Sequence, residues 1–102
     1  MSKVLLLITT ESNKKTAKKI ANLLIKNKMA ACVSLKKIYS IYKWEGNFEE
    51  SKEIEITIKS KPEFKDDLII FLKKMSSYDV PQIIYKNFYS ENKYYKWFDE
   101  NF

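Results

Sequence analysis

The sequence predicts an α+β domain whose elements run β-α-β-β-α-β, with a short C-terminal helix after them. Three observations carry this. A five-residue apolar run, Val4-Leu5-Leu6-Leu7-Ile8, has the length of a buried strand and is too short for a helix. Two stretches, one before and one after the middle of the chain, repeat apolar residues at helical spacing. Between them lie two long alternating segments joined at the only glycine.

Strand 4–8 is followed by a polar stretch in which Ser12 or Asn13 is a natural helix N-cap. Ala17, Ile20, Ala21, Leu24 and Ile25 then recur on one helical face, with Lys14, Lys15, Lys18, Lys19 and Lys26 on the other. The helix is expected to end near Lys28. Residues 31–43 alternate as a long strand, with the Lys36-Lys37 pair breaking the pattern as a bulge or bend would. Glu45-Gly46-Asn47 is the hairpin tip, and Phe48 to Lys59 returns, clearest at Ile54, Ile56 and Ile58. Ser60-Lys61-Pro62-Glu63 has the form of a capping box before a helix that places Phe64, Leu68, Phe71, Leu72 and Met75 on one face. Ser76-Ser77 ends that helix. Val80 to Phe88 reads as the last strand, starting at Pro81, and Ser90 as the cap of a helix with Tyr94, Trp97 and Phe98 on its apolar face.

This order is the split βαβ, or ferredoxin-like, arrangement: two helices on one face of a four-stranded antiparallel sheet with a long central hairpin. The length of 102 residues makes residues 1–102 one domain. Strands of roughly 12 residues reach about 40 Å, whereas helices of roughly 16 residues reach about 24 Å. The hairpin therefore outruns its cover. Its overhang carries Tyr39, Ile41, Tyr42, Trp44 and Phe48, so a homo-oligomer joined through the hairpins is expected.

Absences exclude several functions. The chain has no His, one Cys and one Gly, and all nineteen of its basic residues are lysines. Histidine acid–base chemistry, arginine clamps, Cys-x-x-Cys copper or redox sites and glycine-rich phosphate loops are all unavailable. The net charge of +6 raises the question of nucleic acid, but the strand Glu53-Ile54-Glu55-Ile56-Thr57-Ile58-Lys59 is acidic and lacks stacking aromatics. Specific nucleic-acid recognition is not expected. The lysines read mostly as a solvated helix face, with salt-sensitive association with polyanions left open. No stretch approaches the roughly 20 apolar residues of a membrane span, and the N-terminal apolar run is short for a signal peptide. A cytoplasmic protein without a membrane partner is expected.

Five segments, in order along the chain, resemble the CutA family of divalent-cation tolerance proteins. Ala30-Ala31-Cys32-Val33-Ser34 is similar to that family's A-A-C-V-N, and Ser40-Ile41-Tyr42-Lys43-Trp44-Glu45-Gly46 to its S-x-Y-x-W-x-G hairpin. Glu53 with Ile58-Lys59-Ser60 resembles E…I-K-T. Tyr78-Asp79-Val80-Pro81-Gln82-Ile83 resembles the end of H-P-Y-E-x-P-E-I, and Tyr94 with Trp97 matches Y-x-x-W. The resemblance implies a non-catalytic homotrimer of ferredoxin-like subunits, related in assembly to the PII signalling proteins and associated with tolerance of divalent metals, copper above all. Ser76-Ser77 stands where the family often has His-Pro, so no imidazole ligand is present.

The candidate site residues have two readings each. Cys32 is either a thiolate ligand for copper or a small buried residue in the first half of a strand. Lys59, Glu53, Tyr78 and Asp79 either form a cleft that holds a small anion, with Lys59 as a point charge, or belong to an ion-pair network at a subunit boundary. Trp44, with Tyr42 and Tyr39, lines a cleft or packs between subunits. The cofactor is unassigned, copper or another divalent cation being the candidate. A PII-like sensor or scaffold is the alternative to direct metal binding, its intersubunit cleft taking an anionic ligand or a protein partner.

Overall fold

A computed structural model describes residues 2–102; Met1 of the expected 1–102 domain lies outside the described residues. The strands are β1 (Lys3–Glu11), β2 (Cys32–Trp44), β3 (Asn47–Ser60) and β4 (Ile84–Tyr89), and the helices are α1 (Lys14–Lys26), α2 (Lys65–Met75) and α3 (Asn92–Glu100). A one-turn 3₁₀ segment, Pro62–Phe64, precedes α2. The sheet order is β2-β3-β1-β4, with every neighbouring pair antiparallel. This is the α+β ferredoxin-like arrangement that the sequence predicts.

The core lies on one face of the sheet. Leu5 and Leu7 of β1 and Ile54, Ile56 and Ile58 of β3 meet Ala17, Ile20 and Leu24 of α1 and Leu68 and Leu72 of α2. Alternation puts each strand's odd or even set on that face, and helical spacing aligns the partner residues. Asn13 caps α1 as expected, its side-chain oxygen accepting from Thr16 N at 2.8 Å. On the opposite face Leu6, Ile8 and Ile38 are half-buried, and Ile84 and Phe88 are exposed.

Several expectations are corrected. β1 does not stop at Ile8: Thr9, Thr10 and Glu11 stay paired with Ile56, Glu55 and Ile54. The backbone ladder, not apolar content, sets its end. There is no bulge at Lys36-Lys37, because Lys36 pairs with Glu55 and Lys37 with Ile54 in unbroken register from Cys32 to Trp44. The change in pattern marks where the helix layer runs out. Val33 and Leu35 pack on the core, while Lys37 on the same face is exposed.

The capping box does not form either. Ser60 ends β3, fully buried, and its hydroxyl donates to the Met29 carbonyl at 2.6 Å. Neither the 3₁₀ turn nor α2 has a side-chain cap. β4 starts at Ile84 rather than Val80: its ladder with β1 ends at Ile8↔Ile84, although β1 runs on to Glu11. Glu91, not Ser90, caps α3, accepting from Lys93 N at 2.9 Å and Tyr94 N at 3.0 Å. These two amide bonds hold the Glu91 carboxyl below its ordinary pKa. On α3 only Phe98 is buried; Tyr94 and Trp97 are exposed.

The central hairpin is an arm. β3 pairs with β1 only from Ile54 to Ser60, so Asn47–Glu53 and their partners Ile38–Trp44 project as a two-stranded ribbon. Seven residues of strand reach about 23 Å. Tyr39, Ile41, Tyr42, Trp44 and Phe48 are all exposed on it. The turn is two residues, Glu45 at φ 50° and Gly46 at φ 80°, both left-handed, which is the twist a tight hairpin requires. Glycine adopts this freely; glutamate is strained by it.

Glu45→Asn should therefore stabilise the chain by about 0.5–1 kcal/mol, and Gly46→Ala should destabilise it by about 1 kcal/mol. Nothing lies within 4 Å of a methyl placed on Gly46, so the second effect comes from backbone conformation alone. Urea unfolding at fixed protein concentration measures both.

Candidate functional site

The principal cavity, about 660 Å³, runs along the arm from Ser40 and Glu53 near its base to Trp44 beside the turn. Ser40, Tyr42 and Trp44 of β2 and Glu49 and Glu53 of β3 form one wall, and the loop after α2 supplies Ser77, Tyr78, Asp79, Val80 and Gln82. Thr10 closes the end toward β1. Two carboxylates hold the loop in place. Glu11, the last residue of β1, is fully buried. Its oxygens accept from the Ser77 amide at 3.0 and 3.3 Å and from the Ser77 hydroxyl at 2.8 and 3.0 Å. One residue on, the Tyr78 hydroxyl donates to Glu53 at 2.6 Å. Glu11 lies on the helix-covered face and Glu53 on the opposite face, one residue beyond the last β1–β3 pair. The segment from Ser76 to Tyr78 thus crosses the end of β1 from one face to the other.

Burial, then the adjacent Glu53 carboxylate, pushes the Tyr78 phenol well above its ordinary value of 10.0. The cavity lining holds three carboxyl side chains, Glu49, Glu53 and Asp79, and no lysine. In a chain of net charge +6 this is a local inversion of sign.

The structure brings together four of the six sequence-derived site residues: Trp44, Glu53, Tyr78 and Asp79 line this one cavity. Lys59 is not with them. It shares the face of Glu53 but sits six residues along β3, about 20 Å away. Its amine lies 5.8 Å from the centroid of the Tyr94 ring. Cys32 is directly opposite Lys59 in the β2–β3 ladder and is half-buried. Tyr39 points to the other face of the arm from the cavity and donates to Glu50 at 3.1 Å. Among the described residues, no three His, Cys, Asp or Glu side chains come close enough to hold a metal ion. One chain therefore does not supply a complete metal site there. Sequence reasoning missed Glu11, Ser77 and Glu49. The one available signal was an acidic residue directly after a buried strand, and that alone does not reveal a partner 66 residues away.

A split βαβ domain with a protruding hairpin and a cleft along it defines the structural class, and comparison with known proteins places the chain within it. Residues 5–101 match the family model described as CutA1 divalent ion tolerance protein. The chain is 32% identical to the divalent-cation tolerance protein CutA of Pyrococcus horikoshii, covering 95% of this chain and 96% of that one. It is similar to the solved structure of CutA from Synechococcus elongatus, with a TM-score of 0.92, 27% identity, and coverage of 99% and 91% of the two chains. It is also similar to CutA1 from Oryza sativa, with a TM-score of 0.90, 31% identity, and coverage of 97% and 93%. The chain belongs to the CutA1 divalent ion tolerance family.

Two predictions follow from the clasped loop. Ser77→Ala should cost about 1–3 kcal/mol, because it removes a donor from a buried carboxylate. A double-mutant cycle with Glu11→Gln should return a coupling of about 1 kcal/mol or more. Tyr78 titrates higher in the folded chain than in the unfolded one. Its stabilising contribution is complete below pH 10 and is lost as pH rises from there toward the folded value. Tyr78→Phe should remove this part of the alkaline loss, read from parallel unfolding curves across that range.

Proposed function

We propose that this chain acts as a non-catalytic homotrimer in tolerance of divalent metal ions, with copper as the cation of interest. The family supports the divalent-ion role. The arm supports assembly: its exposed aromatic and aliphatic residues form a surface of the kind that buries itself against another copy.

The sign of the cleft supports a cation rather than an anion as its ligand. Three carboxyl groups line it, and Lys59, the expected anion holder, lies about 20 Å off. A cation is favoured by Coulomb attraction, and a small anion is repelled. Cys32 and Glu53 of one chain are equally far apart, so they do not ligate a common ion. A ligand set that uses the thiol together with cleft carboxylates has to draw on more than one copy. Thiolate suits Cu(I), and carboxylates suit harder divalent ions.

Size-exclusion chromatography with light scattering should give three chain masses. Trp44→Ala with Tyr42→Ala should shift the protein toward smaller species, the two aromatics being of the type that dominates such contacts. Calorimetric titration with Cu(I), Cu(II) and Zn(II) should show saturable binding that is weakened in Glu53→Gln or Cys32→Ser. An intact trimer with no binding above background would refute direct metal binding; a monomer would refute the assembly.

A further inference from the structure

We infer that the outer face of α1 is a docking surface for the phosphate backbone of a nucleic-acid duplex, bound without regard to sequence. The thirteen residues of α1 include five lysines and no acidic residue. Lys14, Lys15, Lys18, Lys19 and Lys26 are all exposed. At about 100° per residue they fall within an arc of about 140°. Among the described residues, none of them is in an ion pair.

An ordinary solvated helix does not look like this. Lys14 and Lys18, and Lys15 and Lys19, are like-charge pairs at i,i+4, and each opposes helix formation. Lys14 and Lys15 also stand in the first turn, where the helix dipole disfavours cations. α2 of the same chain follows the opposite rule, with Asp66 and Asp67 in its first turn and Lys73 and Lys74 in its last. A general richness in lysine does not produce that contrast. α1 keeps three unfavourable electrostatic terms in one place, and an external polyanion relieves all three.

The chemistry of the face selects the polyanion. A bilayer-binding helix lays an apolar stripe into the headgroup boundary. The stripe of α1, Ala17, Ile20 and Leu24, is fully buried under the sheet; of its large apolar residues only Ile25 is exposed, and one side chain is not a stripe to insert. The lysine face carries no aromatic residue to stack on bases and no arginine to read base edges. What remains is a row of point charges along about 20 Å of helix, matched to a linear array of phosphates. The face is on the far side of the core from the open face of the sheet and does not include the cleft, so this inference is independent of the metal reading.

The test is fluorescence anisotropy of a labelled duplex of arbitrary sequence, about 20 base pairs long, across a salt series. Engagement of one face predicts a slope of log affinity against log salt of about −4 to −5. Lys14→Gln with Lys18→Gln, and Lys15→Gln with Lys19→Gln, should each reduce the slope by about two. The control, Lys73→Gln with Lys74→Gln, removes the same charge from α2 and should leave the slope unchanged. Glutamine is a good helix former, and the α1 variants should melt no lower than the parent. Failure to bind the duplex, an equal fall in slope for the α2 control, or retention on phosphatidylserine vesicles without duplex binding would each overturn the inference.

Discussion

The buried carboxylate of Glu11 closes the end of β1 by taking both the amide and the hydroxyl of Ser77. A charged group without solvent exposure is tolerated only when such donors surround it. The bond fixes where the chain turns after α2, and so where Tyr78 arrives. It also marks the last position at which β3 has β1 beside it. Beyond Glu11 the β3 edge is free, and from Glu53 outward the hairpin depends on β2 alone. The arm, the cleft and the path of the loop all depend on that one terminus.

The molecule separates its charges. The core face is apolar except where Thr9, Glu11 and Ser60 meet polar partners or strand ends. The arm base gathers carboxylates with aromatic side chains, while α1 gathers lysines. A net charge of +6 conceals these opposed regions. An acidic cleft can favour cations in a basic protein because salt screens charges on distant surfaces more than those lining the cleft. The same screening leaves the lysine face of α1 free to act separately.

Much of the site was legible in the residues. Trp44, Glu53, Tyr78 and Asp79 were drawn from scattered segments, and the fold brings them to one cavity. They are legible because they fall inside the segments that resemble the CutA family's motifs. Lys59 was equally visible, yet within one chain it lies about 20 Å from that cavity. On β3 it shares the face of Glu53, and period-two alternation places residues on a face without saying how far along the strand a site extends. Glu11 and Ser77 were not legible as a pair, since their bond depends on the path of α2 across the sheet.

By itself the sequence determined the order of elements, the helix-covered face of each strand and the site of the hairpin turn. Those depend on short-range periodicity and on one glycine, which local pattern records faithfully. Tertiary structure alone decided where strands end. Thr9, Thr10 and Glu11 extend β1 because β3 offers them a ladder, and Val80 is left out of β4, whose pairing with β1 ends at Ile84. It also decided that Lys36-Lys37 is the edge of the core rather than a bulge, and that Ser60 serves the Met29 carbonyl rather than a helix cap. In each case the local preference was real. A partner distant in sequence met the hydrogen-bonding demand of the backbone first.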